Sequence, residues 1–426
     1  MSVEVITLLV ILFALLFTST PIAMALGLTS FIYIYYFTTT PLTQIVERLF
    51  NALNSFPLMA IPFFILAANI MTRGGISRRL TEFGNALVGQ YRGGMAMTAV
   101  LACMFFAAVS GSSPATVIAV GTLMIPAMIR HGYSKQFSTG LIATSGSLGI
   151  LIPPSIPLIV YGIATEQSIG DLFMAGIIPG VLAGAMLLGM AVWVSRRKNY
   201  GEHTGESLPK GTRRRALRDA ILALLLPVIV LGGIYGGFFT PTEAAAVAVA
   251  YSLVVALLIY RELSIKDLGK VLLSSAKTSA MIMFIIANGI LFTFVLALER
   301  IPGQVTDGIA AMDLQPWQFL LMVNILLLIV GCFMETSSAI LILAPILLPI
   351  AMEMGVDPIH LGVIIVMNLE IGMITPPLGL NLFVASGLSG MSVLQVAKAA
   401  LPSAAVLITA LILVTYLPIL SLALIR

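Results

Sequence analysis

Two stretches of this sequence carry chemistry that an ordinary apolar helix lacks. Ser145-Gly146-Ser147-Leu148-Gly149-Ile150-Leu151-Ile152-Pro153-Pro154-Ser155 and Glu370-Ile371-Gly372-Met373-Ile374-Thr375-Pro376-Pro377 each set glycines and hydroxyls just ahead of a proline doublet. Proline has no N–H to return to the carbonyl four residues earlier, so Pro153 releases Gly149 and Pro376 releases Gly372. Released carbonyls and hydroxyls in a dry cavity are hard oxygen donors suited to Na⁺, and half-helix N-termini at the same depth attract an anion. Other chemistries lack their residues. There is no GxxxxGK[ST] phosphate loop and no HExxH, and His131, His203 and His360 lie far apart, which excludes direct ATP hydrolysis and a zinc hydrolase. No enzyme is expected.

Each break follows a turn of small polar residues. The first is Val109-Ser110-Gly111-Ser112-Ser113-Pro114-Ala115-Thr116, where glycine permits unusual dihedrals, Ser113 can cap the next arm and Pro114 suits a first helical position. Its partner is Met334-Glu335-Thr336-Ser337-Ser338. Ser112, Thr116, Glu335, Thr336 and Ser337 are candidates for lining a substrate cavity between the two tips. Glu335 is either a proton or cation ligand or a helix cap, and the residues leave both open. Glu370 lies one turn before the second break and can face the same cavity. Asn69 and Asn288 read as glue between helices, and Thr240-Pro241-Thr242-Glu243 reads as a capping box.

These residues must be held by membrane elements. The chain has 426 residues, 59% hydrophobic and 9% charged, against about 25% charged in an average soluble protein. It is an integral membrane protein, and at roughly 35 residues per span it divides into about a dozen membrane elements. Arg196, Arg197, Lys198, Lys210, Arg213, Arg214, Arg215 and Arg218 face only Glu202 and Glu206, so one loop outweighs the whole chain's net charge of +4. That loop marks the cytoplasmic side. With Tyr200 as its one aromatic residue, it is no nucleic-acid surface. Cys103 and Cys332 fall in apolar runs and read as packing. No basic region precedes the first apolar run, so no cleaved signal peptide is expected and the first span stays.

The chain is also duplicated. An offset of 223 aligns Pro126 with Pro349, Gly132 with Gly355, Gly149 with Gly372, Pro153-Pro154 with Pro376-Pro377 and Pro179 with Pro402. Repeat 1 covers 1–195, with a hairpin at 92–130 and a broken helix at 136–165. A basic linker covers 196–218, and repeat 2 covers 219–426, with a hairpin at 314–353 and a broken helix at 359–386. Basic residues flank the first hairpin and acidic residues the second, which implies inverted topology, ten spans, two re-entrant hairpins and an outer N-terminus. A simple parallel duplication stays open. A lone Pro-Pro would read as a kink tolerated in membrane helices, but its duplication beside a polar hairpin tip points to a binding site.

The motifs SGSSPAT at 110–116, HGY at 131–133, GILIPPS at 149–155, FTPTEAAAVAV at 239–249 and GMITPPLGLNLF at 372–383 together resemble the large membrane subunit of tripartite ATP-independent periplasmic (TRAP) transporters, over nearly the whole chain. The resemblance implies an all-α polytopic elevator transporter of a bacterial inner membrane, driving Na⁺-coupled import of a small organic carboxylate such as sialic acid or a C4-dicarboxylate. It implies a sodium site at Ser110, Ser113, Gly149 and Ile152 and another at Gly331, Gly372 and Thr375, mostly through backbone carbonyls. It also implies two partners, a small four-helix membrane subunit and a soluble periplasmic substrate-binding protein. The alternative, an ion channel or proton-translocating subunit, would show a line of buried charge, and these spans are nearly free of charge.

Overall fold

The computed structural model describes residues 3–18, 20–200, 211–310, 312, 314–377 and 379–426, and among them it contains helices and no strand. Glu202, His203, Glu206 and Lys210 of the basic linker lie outside the described residues. Repeat 1 runs α1 (Val3–Phe17), α2 (Ile22–Phe37), α3 (Thr43–Leu53), α4 (Ala60–Arg73), α5 (Ile76–Val88), α6 (Gly94–Ser110), α7 (Ser113–Arg130), α8 (Lys135–Ser145), α9 (Ile156–Thr165) and α10 (Ile169–Arg197). Repeat 2 runs α11 (Thr212–Tyr235), α12 (Pro241–Leu253), α13 (Ile265–Leu298), α14 (Ile301–Ala310), α15 (Pro316–Gly331), α16 (Thr336–Glu353), α17 (Pro358–Gly372), α18 (Leu380–Ser389), α19 (Val393–Tyr416) and α20 (Ile419–Leu422).

Eight helical stretches among the described residues are long and apolar enough to cross a membrane. The ten-span expectation treats each broken helix as one crossing, whereas the breaks divide them into α8 with α9 and α17 with α18, each half too short to cross alone. Hairpin arms α6 and α7 meet directly. In the second hairpin α15 packs more extensively on α17 than on its own partner arm α16.

The chain restarts helices where its sequence offers caps. Ser155 Oγ accepts the Leu158 N–H, Ser168 Oγ that of Asp171, and Asp357 those of Ile359 and His360. The capping box at Thr240 and Glu243 is formed in both directions. In the first break a 3₁₀ turn at Gly146–Ile150 separates α8 from the loop, while in the second α17 runs on to Gly372. Both Pro-Pro bonds are cis.

Elements that match across the duplication pack reciprocally. α7 lies on α18 as α16 lies on α9, α2 on α13 as α12 on α4, and α8 on α19 as α17 on α10. Helices of the N-terminal half thus pack on helices of the C-terminal half. Polar stitches fix the register between helices: Asn69 Nδ2 donates to Ser275 Oγ at 2.8 Å, joining α4 to α13. Asn368 Nδ2 donates to Asn324 Oδ1 at 2.7 Å, and Asn324 Nδ2 to Thr415 Oγ1 at 3.1 Å, joining α17, α15 and α19. Asn288 glues differently, bonding back to Phe284 in its own helix while its side chain fills the gap above Gly27 of α2. At the basic side, Glu262 meets Arg78 and Arg79 at 2.8 and 2.7 Å, and the Arg79 guanidinium lies 3.7 Å from the Tyr260 ring centre.

Candidate functional site

The first hairpin tip folds over the first break. Gly111 takes a left-handed φ of 59° between α6 and α7, and its carbonyl accepts the Ile156 N–H at 3.3 Å. Ser110 Oγ lies 2.9 Å from Thr116 Oγ1, which itself donates to the Ser112 carbonyl at 2.8 Å. Gly149 abuts this turn so closely that a Cβ there would stand 2.6 Å from Thr116 Oγ1 and 2.8 Å from the Ser112 carbonyl oxygen. Ser110, Ser112, Thr116 and Gly149 therefore share one compact, oxygen-rich contact. The contacts of Ile152 lie elsewhere: its N–H reaches the Leu148 carbonyl at 3.1 Å and its side chain packs on Gly180 of α10.

The second hairpin meets the second break backbone to backbone. A Cβ on Gly372 would lie 2.4 Å from both Cα and C of Gly331, an approach that only paired glycines allow. Thr375 closes the turn, its N–H reaching the Gly372 carbonyl at 2.9 Å and its hydroxyl donating to the Ile371 carbonyl at 2.8 Å. Pro376 does remove one donor, yet the N–H one residue earlier replaces it in a tight i→i+3 turn, so the Gly372 carbonyl keeps one protein partner. Thr336, first in α16, reaches Met373 through its hydroxyl at 3.1 Å from the sulfur.

Ser113 does not cap α7; Ser112 holds the cap position without a side-chain bond. Instead Ser113 Oγ crosses to the other repeat and donates to Glu370 Oε1 at 2.8 Å, while Asn381 Nδ2 donates to Ser113 Oγ at 2.5 Å and lies 3.4 Å from the same carboxyl oxygen. Glu370 is 3% exposed, Ser113 and Asn381 0%, and the described partners of this acid are hydroxyl and amide groups with no cation among them. Among the described residues no donor bonds to Glu370 Oε2 or Asn381 Oδ1. Glu370 and Ser147 line a cavity of about 10 Å³, room for one water-sized sphere.

Glu335 is seen as a helix cap. Its Oε2 accepts the Ser338 N–H at 3.1 Å as the cap of α16, and its Oε1 accepts Ser337 Oγ at 2.9 Å. None of Ser112, Thr116, Glu335, Thr336 and Ser337 lines the cavity beside Glu370. Asn381 and Ser147 were not singled out from sequence as site residues, although a lone acid in a charge-free run, Glu370, already pointed to their neighbourhood. Among the described residues no three His, Cys, Asp or Glu side chains cluster to hold a metal. A cation at either break would be met by carbonyl, hydroxyl and amide oxygens, the donor set that suits Na⁺ and not Zn²⁺.

Residues 9–420 match the family model described as tripartite ATP-independent periplasmic transporter, DctM component. The chain is 52% identical over 403 residues to the C4-dicarboxylate TRAP transporter large permease protein DctM of Pseudomonas aeruginosa, covering 94% of this chain and 93% of that one. It is 45% identical to the isethionate TRAP transporter permease protein DctMQ of Oleidesulfovibrio alaskensis, covering 93% of this chain and 62% of that one. Among solved structures, the YdaH transporter of Alcanivorax borkumensis superposes with a TM-score of 0.65 at 14% identity, covering 88% of each chain, a likeness of fold.

Proposed function

The chain belongs to the DctM-component family of tripartite ATP-independent periplasmic transporters, and from that premise we propose that it imports a small organic acid, with a C4-dicarboxylate favoured over an acidic sugar, using the Na⁺ gradient across a bacterial inner membrane. The observation that carries this reading is the pair of glycine-tight contacts between a hairpin tip and a proline-broken helix, one at Gly149 and one at Gly331 with Gly372. Each sets unusual backbone and hydroxyl oxygens inside apolar protein, where a bare Na⁺ gains the most from them. Ser110, Ser113, Gly149 and Ile152 would hold one ion, and Gly331, Gly372 and Thr375 the other.

The C4-dicarboxylate preference follows the 52% identical relative named for that substrate. The fused relative, of which this chain spans 62%, supports a small membrane subunit as a partner, and the family's description as tripartite and periplasmic supports a soluble binding protein as the other. Inverted repeats sliding as an elevator would carry the two tips and two breaks together, alternating access to one site. Coupling then needs only that Na⁺ and the acid each favour the arrangement the other binds.

The test is uptake of labelled succinate into proteoliposomes holding this chain, its small subunit and the binding protein. Uptake is expected with an inward Na⁺ gradient and not with choline in its place. Equal uptake under both conditions overturns the sodium coupling.

A further inference from the structure

We propose that Glu370 and Asn381 are positioning residues that link the two proposed Na⁺ sites, so that an ion bound at one raises affinity at the other. The inference rests on the two-site sodium reading and adds to it the element through which the sites communicate.

Ser113 Oγ is the pivot. It gives its one hydrogen to Glu370 Oε1 at 2.8 Å and accepts from Asn381 Nδ2 at 2.5 Å, which leaves one lone pair for a cation. A cation on that lone pair turns the hydroxyl hydrogen away from itself, toward Glu370, the orientation already present. Ion binding at the first site therefore strengthens the Ser113–Glu370 bond.

The other end of the link is the second break. Glu370 lies two residues before Gly372 at the end of α17, so fixing its side chain fixes the backbone that packs on Gly331. Asn381 is tied to the same place through its own main chain, whose N–H donates to the Met373 carbonyl at 3.1 Å. Both residues thus grip the first repeat by a side chain and flank the second site along the chain. The group is buried, with Glu370 at 3% and Asn381 at 0% exposure, so bulk solvent does not screen the coupling.

Glu370 Oε2 and Asn381 Oδ1 are buried acceptors without donors among the described residues. Buried acceptors of this kind are met by water or by an ion; the cavity beside Glu370 holds room for one water, and the two proposed ions would place positive charge on either side of the group. Linkage makes the effect reciprocal: whatever the first ion does for the second, the second does for the first.

The experiment measures Na⁺ binding to the purified chain with its small subunit in lipid nanodiscs, by calorimetry with NaCl against choline chloride and without organic acid. Wild-type protein is expected to bind with a Hill coefficient above one. Asn381→Leu and Glu370→Ala are expected to reduce it to one and to weaken binding several-fold. Glu370→Gln keeps an oxygen to accept from Ser113 and Asn381 and is expected to remain cooperative, a rescue that mere packing would not produce in step with the Hill coefficient. If Glu370→Ala does not fold, Asn381→Leu and Glu370→Gln carry the comparison. Cooperative binding that persists in Asn381→Leu, or independent sites in the wild type, overturns the link while the sodium reading stands. Wild-type protein that binds no Na⁺ overturns both.

Discussion

Gly372→Ala is the sharpest perturbation the structure offers. The added Cβ would stand 2.4 Å from Cα and C of Gly331 and 2.8 Å from its carbonyl oxygen. Ordinary contact begins near 3.4 Å, so the two helix ends must part by at least about 1 Å. Neither side has a flexible side chain to swing aside; the obstacle is main chain, and both glycines are buried. Overpacking of this kind costs about 1–3 kcal/mol, and the upper figure suits a backbone-on-backbone clash. The same 1 Å shift displaces the oxygens proposed to hold the second ion, a misplacement that costs on the order of 100-fold where geometry decides function. Gly387→Ala is the control, because a Cβ there meets nothing within 4 Å, and in an exposed helix alanine is the better residue by up to about 1 kcal/mol.

The assay pairs thermal unfolding in Na⁺-free buffer with the Na⁺ dependence of succinate uptake. Gly372→Ala is expected to melt earlier and to need at least tenfold more Na⁺ for half-maximal uptake, while Gly387→Ala melts no earlier than wild type and keeps its Na⁺ dependence. A Gly372→Ala protein with wild-type melting and wild-type Na⁺ dependence would refute the reasoning, because it would mean that the contact with Gly331 can open freely and sets no ion geometry.

Two further outcomes follow from parts of the fold away from the breaks. Thr240→Ala removes the hydroxyl that accepts the Glu243 N–H at 3.3 Å; it should lower stability by about 1 kcal/mol, seen as an earlier melt with Na⁺ dependence unchanged. Cys103 is fully buried and Cys332 partly open beside the second tip, so a maleimide applied to the folded protein in lipid should label Cys332 and spare Cys103 until the chain is denatured.

Much of this architecture is readable before any coordinates, and the reason differs from element to element. The capping box at Thr240 is local, decided by four residues, and it forms as its pattern dictates. The hairpin tips are marked by glycine and hydroxyl residues that no apolar arm would otherwise hold, and the described arms are α6 with α7 and α15 with α16. The breaks are legible through proline, but their hydrogen bonds are not, because the sequence names the donor that is lost and not its substitute. At Gly372 the substitute is the Thr375 N–H. Ser113 shows the same limit. As a residue beside a helix start it fits a cap, and only the packing of α18 against α7 brings Asn381, 268 residues away, to claim its hydroxyl. Glu335 and Glu370 invert the sequence's emphasis: the acid at the exposed-looking tip serves its own helix start, and the acid inside the apolar run bridges the repeats.

The scarcity of charge in this interior bears on how an acid could cross. A dicarboxylate moved alone through apolar protein carries two uncompensated charges, each costly away from water, and a fixed arginine would compensate them only by travelling too or by releasing them poorly. On the proposed reading the compensating charge is mobile. Two Na⁺ ions enter with the acid, the site offers neutral oxygens in place of their hydration shells, and the loaded unit approaches neutrality before it moves. The empty unit is then also nearly neutral, apart from Glu370, whose described partners are uncharged hydroxyl and amide groups. The lone acid is the costly half-loaded state, because it leaves two negative charges unbalanced. A transporter built this way disfavours carrying the acid without its ions on electrostatic grounds alone, and a side-chain link between the two ion sites adds a geometric reason for both ions to be present.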